Sequence, residues 1–136
     1  MVKVIMAEKG YGKTKDIINL INTAAEAEKG NSVCISKDSE LTYDISYRVR
    51  LVQSKDYGIN NFEILRGFIY GLHAGNYDIT HIFIDGLCKI VKNATDKEVE
   101  DFLDACEAFS NKEGVKFTIT ISSDAGLATP GIKKYF

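Results

Sequence analysis

The sequence predicts an α/β fold, with a mainly parallel sheet and helices on both faces. Short apolar runs of strand length alternate along the chain with longer segments whose apolar residues recur at helical spacing. Strands joined through helices pair in parallel and need cover on both faces. The chain has 136 residues, 45% of them hydrophobic and 26% charged. That length and composition fit a single compact domain over residues 1–136 with a substantial core.

Val2 to Met6 is a short apolar run ending at a glycine-containing loop, as a buried first strand does. From Lys13 to Lys29, Ile17, Ile18, Leu20, Ile21, Ala24 and Ala25 mark a long helix, and Gly30 supplies its stop. Val33-Cys34-Ile35 reads as the second strand. Within Lys37 to Asn60, Tyr47, Val49 and Leu51 alternate with Arg48 and Arg50, which predicts an edge strand.

Asn61 to Ala74 reads as a helix through Phe62, Leu65, Phe68, Ile69 and Leu72. Gly67 and Gly71 inside it are expected to allow close packing on the sheet, because a mid-helix glycine costs stability and wants a reason. Thr80 to Asp85 contains Ile82-Phe83-Ile84, a central strand that ends on a carboxylate. Thr95-Asp96-Lys97-Glu98 is a capping box, and Val99, Phe102, Leu103, Cys106 and Phe109 continue that helix toward Gly114. Val115, Phe117, Ile119 and Ile121 alternate with Lys116, Thr118 and Thr120 as a last strand. Ser122 to Phe136 carries no clear element.

The chemistry concentrates between the first strand and the first helix. Ala7-Glu8-Lys9-Gly10-Tyr11-Gly12-Lys13-Thr14 has the Walker A spacing, with alanine in the first glycine position and Gly-Lys-Thr intact. Gly10 and Gly12 let successive backbone N–H groups turn inward and approach phosphate oxygens closely. Lys13 is placed to reach the β- and γ-phosphates, Thr14 to ligate Mg2+ through its hydroxyl, and the helix start to aim its positive dipole at the anion. The phosphate-binding set runs from Glu8 through Lys15. Asp85, at the tip of an apolar strand, fits the Walker B carboxylate that holds Mg2+. Lys13 and Asp85 are therefore the expected catalytic residues, Thr14 and Asp85 the metal ligands, and ATP with Mg2+ the expected cofactors.

With those two motifs, the chain resembles P-loop nucleoside-triphosphate-binding proteins of the RecA-like group, which implies a three-layer P-loop fold. Its layout is similar to the N-terminal ATP-binding domain of thymidine kinase, with Ser36-Lys37-Asp38 as the polar turn after the second strand. The resemblance implies ATP binding, with slow or partner-stimulated hydrolysis. A small-molecule phosphotransferase and a non-catalytic nucleotide-binding module are the alternatives. Asp85 is followed by Gly86 where these families usually carry a glutamate, and no cysteine pair follows the last strand as a zinc site would need. Glu8, Asp38, Glu40 and Asp44 are the other carboxylates expected near the strand ends, and Ser122, Ser123 and Asp124 are candidates to sense the γ-phosphate. Arg48, Arg50 and Arg66 are the only arginines, each a candidate charge-stabilising finger within the chain or across an oligomer.

A net charge of −2 and a pI near 5.7 argue against nucleic acid as the general partner. No apolar run approaches the roughly eighteen residues that span a bilayer, so a cytoplasmic protein is expected. Beyond the nucleoside triphosphate, a second copy or a protein partner is compatible with the sequence. Cys34, Cys88 and Cys106 are widely spaced in apolar segments and read as reduced core thiols. His73 and His81 have no metal-ligand partner at suitable spacing.

Overall fold

The computed structural model describes residues 1–8, 13–38 and 44–136, with the backbone alone described at 13 and 14. Strands β1 (Val2–Met6), β2 (Asn31–Ser36), β3 (Val49–Gln53), β4 (Ile79–Asp85) and β5 (Lys116–Ile121) form one sheet in the order β1-β5-β4-β2-β3. Every pairing is parallel. The carboxyl ends of all five strands therefore meet at one edge, where open α/β sheets collect ligands.

Helix α1 (Lys13–Ala27) covers one face, and Ile17, Ile21 and Ala25 pack there with Cys34, Val49 and Phe83. Helices α2 (Phe62–Gly75) and α4 (Asp96–Glu113) cover the other. Leu65, Ile69, Phe102 and Leu103 meet Val33, Ile35, Ile82, Ile84, Phe117 and Ile119 in that second, larger core. Alternate residues of β4 thus enter different cores, as the period of a strand requires. The expected α/β architecture with helices on both faces is what forms.

Helix boundaries follow local chemistry. Asn61 caps α2 by accepting from the Ile64 N–H, and Thr95 with Glu98 closes the capping box of α4. Gly114, in the left-handed region at φ 71°, ends α4. Short helix α3 (Leu87–Ile90), directly after β4, and a 3-10 turn at Ser54–Tyr57, after β3, are elements without a periodic signature in the sequence.

The tail from Ser122 is ordered against the fold. It makes a 3-10 turn at Ala125–Leu127 and the short helix α5 (Pro130–Lys133). Ile132 and Tyr135 are buried, and the Tyr135 carbonyl accepts from the Val4 N–H on the open side of β1. That contact covers a strand edge that would otherwise invite pairing.

Two expectations are corrected, and the arginines find their places. Gly67 and Gly71 lie on the exposed side of α2, and a Cβ at either would meet nothing within 4 Å, so close packing on the sheet is not their reason. Cys34 and Cys106 are buried, but Cys88 is exposed because α3 turns it away from the core. Arg48 and Arg50 stand at the start of β3, away from the carboxyl edge, and Arg66 lies beside Glu63, Glu98 and Asp101. All three are exposed.

Among the described residues no cluster of three metal-ligating side chains exists. The His81 ring stacks on Phe83 with centroids 4.0 Å apart, and its Nε2 is hydrogen-bonded to the Thr118 hydroxyl at 2.9 Å. The Glu28 carboxylate, 3.7 Å from Nδ1, is also paired with Lys116 at 3.1 Å. This buried polar group ties the end of α1 to β4 and β5.

Candidate functional site at the carboxyl edge

Met6 of β1 lies opposite Ile121 of β5, Ile84 of β4 opposite Ile119, and Asp85 opposite Ser36 of β2. Strand β5 thus stands between the strand that leads into the Ala7–Thr14 loop and the strand that ends on Asp85. Any contact between loop and carboxylate is organised across the tip of β5.

That tip holds Thr120, a residue that sequence reading registers only as one polar position in an alternating strand. It is 4% exposed. Its hydroxyl donates to Asp85 Oδ1 at 2.8 Å and accepts from the Gly86 N–H at 2.8 Å. One side chain therefore orients the carboxylate and satisfies the first amide beyond it. The signal lay in the spacing, since Thr118 and Thr120 share the sheet face that α1 covers.

Gly86 accounts for the missing glutamate. Its φ of 73° and ψ of 56° are left-handed, and from there the chain enters α3 as its N-cap. A residue with a Cβ is disfavoured in that conformation by roughly 1–2 kcal/mol. The turn that lets Gly86 bond Thr120 is thus the turn that selects against a side chain at this position.

Ile17 and Ile21 of α1 line a narrow crevice together with Phe83, Asp85, Thr118 and Thr120. Ile17 is one turn from Lys13, so α1 reaches the Asp85–Thr120 pair within about a turn of its start. Asp85 is part-buried, and its Oδ1 accepts the Thr120 bond. An anchored carboxylate at a strand tip fits a hard cation such as Mg2+.

The remaining predicted residues divide plainly. Lys9, Gly10, Tyr11 and Gly12 lie outside the described residues, as does Glu40, and the backbone of Lys13 and Thr14 opens α1. Glu8 and Lys15 are exposed on either side of the loop. The Ala7 N–H donates to the Ile121 carbonyl, which ties the loop entrance to β5. Asp38 and Asp44 are exposed. Asp124 accepts from the Gly126 N–H at 2.9 Å and so serves its own turn. No described helix is long and apolar enough to cross a membrane.

No protein-family model matches the chain, and no curated protein matches it in sequence. Solved structures do resemble it. One is the pCW3 conjugation coupling protein TcpA in its monomer form with ATPγS, at 12% identity and a TM-score of 0.48. The likeness covers 98% of this chain and 46% of that one, so the chain spans less than half the length of that neighbour.

Proposed function

We propose that the chain binds a nucleoside triphosphate, ATP with Mg2+, in the Ala7–Thr14 loop. The observation that carries this reading is the crevice in which the first turns of α1 meet Asp85 and its partner Thr120. A Walker A spacing opens that helix, and Asp85 has the strand-tip position of the carboxylate that goes with such a loop. Lys13 and the loop amides would neutralise phosphate charge, while the Thr14 hydroxyl and Asp85 would hold the metal, whose charge offsets that of the β- and γ-phosphates.

Binding with slow or partner-stimulated hydrolysis fits better than efficient turnover. The position after Asp85 is a left-handed glycine, so the carboxylate that would activate water from there is missing for a conformational reason. A phosphotransferase would have to draw its base from another part of the edge.

Calorimetry with Mg-ATP and Mg-GTP, on wild type and Lys13→Ala with phosphate release followed in the same samples, tests this reading. Saturable binding abolished by Lys13→Ala is expected, with release near background in the isolated protein. If neither nucleotide binds at millimolar concentration, the reading is wrong. Release that is fast without any partner would overturn the slow-hydrolysis half alone.

A further inference from the structure

A second cavity, of about 410 Å3, opens on the same carboxyl edge beyond Asp85. Its wall is strongly basic. Lys37 follows the last residue of β2, Lys55 lies two residues past the end of β3, and Lys89 and Lys92 come from α3 and the residues after it. No carboxylate lines it among the described residues. In a chain of net charge −2, this convergence is local and not the overflow of a basic protein.

Two further observations point to an anion. Ser54 lines the cavity at 1% exposure, and its buried hydroxyl has no hydrogen-bond partner among the described residues. An unpaired buried hydroxyl costs on the order of 1–3 kcal/mol, which a ligand acceptor would recover. The Lys37 and Lys92 ammonium groups are also in close contact, a repulsive one since neither can accept a hydrogen bond. That contact and the charge of Lys92, then burial and more weakly Lys55, hold Lys37 below its usual range, while Asp38 pulls the other way. Like charges brought close together are a standing cost that a bound anion relieves.

We propose that this cavity is a second anion site, separate from the Ala7–Thr14 loop, that takes a small phosphorylated molecule bearing two or more negative charges. Its size lies within the range of small-ligand pockets, and Ile59 and Ile90 add an apolar wall that a bare ion would not need. Nucleic acid would ask for an extended basic stripe. Arg48 and Arg50 do not extend the lysine cluster, since they stand at the other end of β3.

The test is an amide-shift titration of the full chain with inorganic pyrophosphate, carried out in a Lys13→Ala background so that the loop contributes nothing. Saturable shifts centred on Lys37, Lys55, Gly58, Asn60 and Lys92 are expected. The double variant Lys37→Gln/Lys92→Gln should weaken that binding by about tenfold or more, the loss of a charge-assisted hydrogen bond. A Lys3→Gln/Lys112→Gln control should leave it unchanged. Lys92→Gln alone should raise the melting temperature of the free protein while weakening pyrophosphate binding, since it relieves the lysine contact. Non-saturating shifts spread over surface lysines would overturn the proposal. So would a short single-stranded DNA that displaces pyrophosphate from the same amides at lower concentration. Both results are read without the loop, so they stand whether or not Lys13 binds a triphosphate.

Discussion

The Thr120 hydroxyl and the Asp85 carboxylate are joined by a 2.8 Å hydrogen bond across the tips of β5 and β4, and the same hydroxyl receives the Gly86 amide. Thr120→Val should leave that amide unsatisfied and the carboxylate unheld. A loss of about 1–3 kcal/mol in stability is expected. ATP affinity measured with Mg2+ should fall, while affinity without Mg2+ should not, and Thr120→Ser should restore the stability and the affinity with Mg2+. Equal loss with and without the metal would mean that Thr120 positions something other than Asp85.

Gly86→Glu supplies the glutamate that the motif lacks, but in a left-handed backbone. Urea unfolding should show a destabilisation of roughly 1–2 kcal/mol. Phosphate release should not rise, because the strained turn would shift Asp85 and Thr120 together. A variant that is both stable and faster would show that the conformation is not what keeps glutamate out.

His81 makes stability depend on pH. Burial pushes its imidazole down to about 4 from 6.5, against the pull of the Glu28 carboxylate, and the Lys116 charge adds to the lowering. A cation whose folded pKa is depressed binds its proton more readily in the unfolded chain, so stability is full above 6.5 and is lost as pH falls from there toward 4. Between about pH 7 and about pH 5 the expected loss is on the order of 1–2 kcal/mol, after allowance for partial solvent access. Unfolding of His81→Gln over the same interval should be flatter than wild type. Parallel curves would assign the acid sensitivity to the carboxylates.

Gly30 marks where α1 hands over to β2. A Cβ there would stand 2.4 Å from the Asp78 carbonyl oxygen, which itself accepts from the Asn31 N–H at 2.7 Å. Both groups are backbone, so little can give. Gly30→Ala should lower stability by about 1–3 kcal/mol in thermal melts, as overpacking does. A neutral outcome would mean that the α1–β2 turn moves as a unit.

Local signals were enough for most of the elements. The alternation at Val49 and Leu51 marked β3, the apolar run at Ile82–Ile84 marked β4, and Thr95 with Glu98 marked the start of α4. Each depends on residues within a turn or two of one another, so each is written in the chain itself. The Walker A spacing is local in the same sense, and so is an aspartate at the end of an apolar strand.

What lay outside that range needed the fold. Which face of α2 carries Gly67 and Gly71 depends on the helix's rotation against the sheet, and periodicity places the apolar stripe without saying how wide its cover is. The tail after Ser122 is ordered by contacts with β1 and α4, residues far away in the chain, such as Val4 and Asp104. Thr120 finds Asp85 only because β5 inserts between β1 and β4, and strand order carries no mark in any one strand. The four lysines at the second cavity come from three separate segments and meet only through parallel pairing. The sequence by itself determined most of the elements and the spacing of the loop, because those rest on short-range geometry. The tertiary structure decided which polar groups share an edge, because that depends on pairings between strands distant along the chain.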